Sequence, residues 1–175
     1  MIIKKYKEFI KESKEFEFGC VMLEVPVSNW DEITSSIDAN DIYTDEDKPG
    51  ISKDPHITLL YGYDNNITPE MVESILKDFI LNPIEVEIEG ISLFENKTFD
   101  VVKFNIKKSD ILQKLYSELS KLPNSNKFKN FTPHITIAYL KKGTGKKYVR
   151  EYKHKVIVDT ICYSMANGEE IKFEV

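Results

Sequence analysis

Two seven-residue segments of this chain repeat the same pattern of chemically active side chains. Residues 55–61 read PHITLLY and residues 133–139 read PHITIAY, so five of the seven positions are identical. Each copy contains one of the chain's three histidines and a threonine two residues later. Because residues i and i+2 of an extended strand share a face, each histidine points the same way as its threonine. Two such strands side by side would present two imidazoles and two hydroxyls to one cleft.

This set of side chains suits the cleavage of a phosphodiester bond. Cleavage needs a base that activates the attacking oxygen and an acid that protonates the leaving oxygen, and histidine fills both roles because its ordinary pKa is about 6.5. The threonine hydroxyls can donate hydrogen bonds to the non-bridging oxygens. The scheme needs no metal or other cofactor, and we predict none, since no Asp/Glu cluster accompanies either motif. The predicted catalytic residues are His56, Thr58, His134 and Thr136, with the assignment of acid and base left open.

Tyr61 and Tyr139, which end the two motifs, are predicted to be core residues. By strict alternation, Tyr61 and Tyr139 lie on the face opposite the histidines unless a bulge intervenes. Leu60 and Ala138 would then share the histidine face and form a floor beyond the threonines.

A basic segment directly follows the second motif. Residues 141–155 hold seven Lys and Arg against one Glu, a net charge of +6, whereas the rest of the chain sums to −11 and the whole chain to −5. Such a protein can attract a small anion without binding long nucleic acid, although charged stretches are commonly solvated loops. His154 lies among these lysines and is interpreted as solvent-facing or as a phosphate neighbour. The predicted substrate-binding residues are Lys142, Lys146, Lys147 and Tyr148, through phosphate contacts and base stacking.

The composition is typical of a soluble globular protein. With 175 residues, 41% hydrophobic and 30% charged, the chain can bury a sizeable core, and we expect one domain over residues 1–175. No apolar run approaches the roughly 18 residues of a membrane span, and the first 14 residues lack the apolar core of a signal peptide. We therefore expect a cytoplasmic protein without a membrane partner, in which Cys20 and Cys162 are free thiols.

Hydrophobic periodicity predicts a mixture of helices and strands. Helical spacing of apolar residues predicts four helices, over residues 2–14, 28–37, 68–81 and 109–122. Apolar or alternating runs predict strands over residues 18–25, 84–89, 99–106, 156–165 and 171–175, besides the two motif strands. Because helices and strands do not strictly alternate, the pattern favours an α+β or two-lobed antiparallel architecture over a doubly wound sheet.

Two H-x-T strands whose histidines lie 78 residues apart, one in each half of the chain, resemble those of the 2H phosphoesterase superfamily. The resemblance implies two pseudo-symmetric α/β lobes whose antiparallel sheets face a central cleft. It implies metal-independent cleavage of 2′,5′ or 2′,3′-cyclic phosphodiesters, RNA ends or cyclic nucleotides. By motif position, it implies that the two histidines and two threonines are the catalytic residues.

Within that superfamily, the chain is similar to the bacteriophage anti-CBASS cyclic-oligonucleotide nucleases. The similarity lies in the stretches GCVML (19–23), PHITLLYG (55–62), FDVVKF (99–104) and PHITIAYLKKGTGKKY (133–148). It implies cleavage of the 3′,5′ linkages of cyclic di- and trinucleotide messengers in the host bacterial cytoplasm, to a linear product with a 2′,3′-cyclic phosphate. Two alternatives stay open: an RNA-end 2′,3′-cyclic or 2′,5′-oligonucleotide phosphodiesterase, and a non-catalytic cyclic-nucleotide sponge.

Overall fold

The structure is a computed structural model that describes residues 4–8, 16–45, 48, 50–79, 82–128 and 130–174. Its strands are β1 (Lys4–Glu8), β2 (Gly19–Glu24), β3 (His56–Tyr63), β4 (Ile84–Glu95), β5 (Phe99–Ile106), β6 (His134–Lys141), β7 (Arg150–Val158), β8 (Thr160–Ser164) and β9 (Glu170–Glu174). Its helices are α1 (Trp30–Ser35), α2 (Pro69–Phe79) and α3 (Asp110–Leu119), with short 3-10 helices at Ala39–Asp41 and Gly145–Tyr148.

All these strands belong to one antiparallel sheet, in the order β1-β9-β8-β2-β3-β6-β5-β4-β7. The two motif strands, β3 and β6, lie side by side at its centre. The sheet has two halves, β1-β9-β8-β2-β3 and β6-β5-β4-β7, and each motif strand is the innermost strand of its half. The halves meet where Ile57 pairs with Ile135. The predicted α+β class, with antiparallel sheets in two related halves, is confirmed.

Helices α2 and α3 begin and pack as the sequence predicts. The Ser109 hydroxyl accepts a hydrogen bond from the Leu112 N–H at 3.4 Å and caps α3. The apolar side of α3 is fully buried and packs next to β3. The Tyr63 hydroxyl of β3 donates to the Leu119 carbonyl at 2.7 Å, which ties the end of α3 to the sheet.

The predicted helix over residues 2–14 is wrong in the part that the structure describes. Residues Lys4–Glu8 form strand β1, which pairs along its whole length with β9 at the edge of the sheet. The backbone hydrogen bonds to β9 outweigh the helical spacing of the apolar residues, a tertiary effect that local periodicity does not report. The rest of that predicted helix lies outside the described residues.

Each loop that precedes a motif strand runs along the other motif strand. The Gly50 carbonyl, ahead of β3, accepts a hydrogen bond from the Tyr139 N–H of β6 at 2.7 Å. The Ser125 N–H, ahead of β6, donates to the Gly62 carbonyl of β3 at 2.8 Å. Gly62 has φ +117 and approaches the 125–126 backbone so closely that a Cβ would lie 2.7 Å from the Asn126 nitrogen. These crossed loops fix both histidine strands relative to one another.

None of the helices in the described ranges is both long and apolar enough to cross a membrane.

Candidate active site

Both motif histidines are held by the same local hydrogen bond. The His56 Nδ1 lies 2.9 Å from the Asp54 carbonyl oxygen, and the His134 Nδ1 lies 2.8 Å from the Thr132 carbonyl oxygen. Because a carbonyl only accepts, each Nδ1 carries a proton and donates it. The Nε2 of each ring is therefore the atom left to take up or release a proton.

The register of β3 and β6 brings the four predicted catalytic residues together. Ile57 lies opposite Ile135, so one step along the antiparallel strands His56 comes beside Thr136 and Thr58 beside His134. All four side chains point to the face opposite the two isoleucines. The two imidazoles are close enough for the charge of His56 to act on the pKa of His134.

A β-bulge in each motif strand turns the motif tyrosines towards this face. The pairing of β2 with β3 skips Leu59, and the pairing of β5 with β6 skips Ile137. After each bulge the alternation is reversed, so Tyr61 and Tyr139 line the same cavity as the threonines. The prediction that these tyrosines lie opposite the histidines is wrong for this reason.

The sequence does carry a signal for these bulges. Both copies place two consecutive apolar residues between threonine and tyrosine, Leu59-Leu60 and Ile137-Ala138, and all four are at most 1% exposed. A regular strand cannot bury two consecutive side chains on one side. Leu60 and Ala138 are therefore core residues, although Leu60 also contributes to the cavity wall.

The cavity beside the histidines has a volume of about 780 Å³. His134, Thr58 and Thr136 contribute to its surface, and His56 adjoins it through its neighbours Thr58 and Thr136. Its aromatic wall residues are Tyr61, Phe94, Tyr116, Phe128, Phe131 and Tyr139. This volume and mixed apolar and polar lining are typical of a small-molecule site.

Sequence reasoning missed two charged residues of this region: Glu95, which lines the cavity, and Lys103 of β5. Lys103 lies opposite Thr136, is only 4% exposed, and its Nζ donates to the Ser92 hydroxyl at 3.0 Å and to the Asn105 side-chain oxygen at 2.5 Å. The ring of Phe94 covers it, with the Nζ 4.3 Å from the ring centroid. A lysine inside the otherwise apolar run VVKF (101–104) of a central strand was the available signal.

The surroundings of His134 favour its neutral form. Burial is the main cause that lowers the pKa of His134, and the hydrogen bond to the Thr132 carbonyl opposes it; the positive charges of Lys103 and His56 lower the pKa further, each by less. The Phe94 ring packs on the imidazole in a T-shaped arrangement, with centroids 5.0 Å apart and planes at 85°. The imidazole of His134 is therefore more readily neutral than that of an ordinary histidine.

None of the four predicted substrate-binding residues lines this cavity, although the Lys142 Nζ lies 3.9 Å from a carboxylate oxygen of Glu95, which does. The Lys142 Nζ lies 2.9 Å from a carboxylate oxygen of the buried Asp100, and the Lys147 Nζ lies 2.6 Å from a carboxylate oxygen of Asp41. Tyr148 is 8% exposed and donates a short hydrogen bond to the same Asp41 carboxylate, whereas Lys146 is exposed.

The residues of this site do not resemble a metal centre. Within the described ranges, no three His, Cys, Asp or Glu side chains group closely enough to hold a metal ion.

The comparison with protein families identifies the class. The model of the 2′-5′ RNA ligase superfamily matches residues 26–159, which include both motif strands and more than three quarters of the chain. The chain belongs to this family of 2H phosphoesterases and is an enzyme that acts on phosphodiester bonds. No curated protein sequence matches it significantly.

Solved structures share the fold at low sequence identity. Usb1 of Kluyveromyces marxianus superposes with a TM-score of 0.62 at 9% identity, covering 92% of this chain and 99% of that one. LigT of E. coli, complexed with 3′-AMP, gives 0.61 at 12% identity over 90% and 94%. TT0787 of Thermus thermophilus gives 0.60 at 14% identity over 90% and 97%. At these identities the likeness concerns the fold.

Proposed function

We propose that this protein is a metal-independent phosphodiesterase that cleaves the 3′,5′ linkages of cyclic di- and trinucleotide messengers. The observation that carries the proposal is the pair of histidines on two adjacent strands, each with its Nδ1 held by a backbone carbonyl and its Nε2 left to exchange a proton. His134 lines the cavity of about 780 Å³, and His56 adjoins it. His56, Thr58, His134 and Thr136 are the proposed catalytic residues.

The proposed reaction is an in-line transfer to the neighbouring 2′-hydroxyl. One histidine takes the 2′-hydroxyl proton while the 2′ oxygen attacks phosphorus, and the other gives its proton to the departing 5′ oxygen. The Thr58 and Thr136 hydroxyls donate hydrogen bonds to the non-bridging oxygens as negative charge builds there. The product is a linear nucleotide with a 2′,3′-cyclic phosphate, which water opens when the histidines exchange roles.

Aromatic side chains from both halves of the sheet support a substrate with two or more bases. Tyr61 belongs to β3 and Tyr139 to β6, and both line the cavity with Phe94 and Phe128. Base–aromatic stacking contributes about 1–3 kcal/mol per base. Such a substrate is small enough for a cavity of about 780 Å³. The protein has a net charge of −5 and lacks the excess of positive charge that holds long nucleic acid.

The biological role follows from the resemblance of the motif stretches to bacteriophage anti-CBASS nucleases. Removing cyclic nucleotide messengers would counter host antiphage signalling in the bacterial cytoplasm. A second candidate is an RNA-end 2′,3′-cyclic or 2′,5′-oligonucleotide phosphodiesterase. It is favoured by the family match and by LigT, which was solved with 3′-AMP.

Product analysis by liquid chromatography and mass spectrometry, with EDTA present, distinguishes these functions. The substrates are 3′,3′ cyclic dinucleotides, cyclic trinucleotides, a 2′,5′-oligoadenylate and an RNA ending in a 2′,3′-cyclic phosphate. Linearised cyclic nucleotides with a terminal phosphate are the expected result. Turnover of only the last two substrates would establish the RNA function instead, and tight binding without turnover would establish a sponge.

A further inference from the structure

The two halves of the site differ at one structurally equivalent position. In the second half, Lys103 of β5 lies opposite Thr136, and in the first half Met22 of β2 lies opposite Thr58. Directly opposite residues of antiparallel strands share a face, so both side chains belong to the face of the histidines. One half of the site therefore contains a buried cation where the other contains a thioether.

The residues opposite the histidines themselves also differ. Asn105 lies opposite His134, whereas Glu24 lies opposite His56. The Glu24 carboxylate also pairs with the Lys172 Nζ at 3.2 Å. The asymmetry thus comes chiefly from the His134 side, where the charge is buried.

The contacts of Lys103 suit a protonated amine. Its ammonium has three N–H groups, and three acceptors surround it: the Ser92 hydroxyl, the Asn105 side-chain oxygen and the face of the Phe94 ring. Among the described residues no carboxylate lies within ion-pair distance of its Nζ. Burial lowers the pKa of Lys103, whereas these three contacts stabilise its charged form in the absence of a counter-ion.

We infer that His134 is the general base and His56 the general acid of the transfer step, and that Lys103 is a positioning residue whose buried charge adds to the effect of burial in favouring neutral His134. The assignment of roles rests on the proposed function. The electrostatic coupling of Lys103 to His134 does not, because it exists without substrate. Phe94 separates the ammonium from the imidazole, packing on both.

The charged neighbours of His134 act in the same direction on its pKa. The charges that act on His134 are those of Lys103 on β5 and His56 on β3, both positive when protonated. Positive neighbours and burial both disfavour a second cation, so the pKa of His134 lies below its ordinary value.

The proton transfers balance with these roles. The His134 Nε2 takes the proton of the 2′-hydroxyl while the 2′ oxygen forms its bond to phosphorus. The bond from phosphorus to the 5′ oxygen breaks, and the His56 Nε2–H protonates that oxygen. The step leaves His134 as the imidazolium and His56 as the imidazole, which are the forms needed to open the cyclic phosphate with water.

Nuclear magnetic resonance titration of the three histidines tests the coupling without any substrate. We expect His134 to titrate at lower pH than His56, and Lys103→Met, which copies Met22 of the other half, to move the His134 titration to higher pH. His134→Gln and His56→Gln assign the signals. Lys153→Met removes the same charge from an exposed position on β7, and we expect it to move neither the His134 titration nor the His56 titration. An unchanged His134 titration in folded Lys103→Met, or a higher pKa for His134 than for His56, would overturn the inference.

A leaving-group experiment tests the roles. Uridine 3′-(4-nitrophenyl phosphate) has the same attacking 2′-hydroxyl as an RNA-like linkage, but its leaving group departs without protonation. The defect of His56→Gln should shrink at least tenfold on this substrate relative to a natural linkage, whereas that of His134→Gln should persist. The opposite pattern would reverse the roles.

A pH profile of the activity tests the effect of Lys103 and the role of His134 together. In wild type, activity falls on the acid side as the base becomes protonated, and Lys103→Met should shift that limb to higher pH while leaving the alkaline limb in place. If wild-type protein turned over no phosphodiester, the proposed function would fail, while the titration would still decide whether Lys103 and His134 are coupled.

Discussion

Ile57 of β3 lies directly opposite Ile135 of β6, and both side chains are fully buried. Each isoleucine follows the histidine of a repeated motif, so an approximate two-fold axis passes between them. The histidine and threonine of each copy flank its isoleucine in sequence. The four proposed catalytic side chains are therefore positioned by a single buried contact at the junction of the two halves.

Substitution of either histidine should abolish most of the activity. His56→Gln and His134→Gln each remove one proton-transfer group, which is expected to lower kcat at least about a hundredfold. Both rings are held by backbone carbonyls, so the substitutions should leave the fold intact. Steady-state kinetics with EDTA measures the loss. His154→Gln, in an exposed position on β7, is the matched control and should retain full activity.

The threonines should matter for the transition state more than for substrate binding. Thr58→Val and Thr136→Val preserve shape and remove one hydrogen-bond donor each, and loss of such a donor lowers kcat by about 10²–10³-fold. KM should change little. Thr58→Ser and Thr136→Ser keep the hydroxyl and should recover most of the rate. A fall in affinity with unchanged kcat would contradict this role.

The motif tyrosines should determine affinity. Tyr61→Ala and Tyr139→Ala remove aromatic faces from the cavity, and each should weaken binding of a cyclic dinucleotide by about 1–3 kcal/mol. Calorimetric titration in the His56→Gln/His134→Gln background separates binding from turnover. Tyr61→Phe and Tyr139→Phe keep the rings and should bind almost normally. Equal affinity of the alanine variants and wild type would exclude stacking at these positions.

The isoleucine junction should be a major source of stability. Ile57→Ala and Ile135→Ala are each expected to lower the free energy of unfolding by about 2–5 kcal/mol. Because the two side chains lie opposite one another, their effects should not add in the double variant. Urea denaturation provides the three values. Ile157→Ala, at a position 55% exposed, should change stability by no more than about 0.5 kcal/mol.

Tyr148 should contribute to stability rather than to substrate affinity. Tyr148→Phe removes the hydrogen bond to the Asp41 carboxylate, which should cost about 1–3 kcal/mol of stability. KM for the cyclic dinucleotide should stay unchanged. Lys146→Ala, at an exposed position in the same turn, should leave stability unaltered. An increase in KM for either variant would support the sequence-based prediction that this segment binds substrate.

Most of the site's framework follows from local sequence. The repeated heptads predict two strands with His and Thr on one face, and the antiparallel pairing of β4 with β5 and the Ser109 cap follow from alternation and capping residues. The orientation of Tyr61 depends on a bulge, which strict alternation does not include. Strand β1 depends on pairing with β9 at the far end of the chain, and Lys103 depends on packing under Phe94. Local periodicity contains no information about such distant partners.

The presence of Lys103 and Met22 at equivalent positions has a consequence for how such a site can evolve. A homodimer built from one half would place identical residues around both histidines, because each subunit would have the same sequence. Its two imidazoles would then have the same intrinsic pKa, and either one could carry the proton. With both halves in one chain, a single lysine on β5 can alter one of them alone. Joining two similar halves covalently thus allows one particular imidazole to be fixed as the base, whereas in a symmetric assembly either one could take that role.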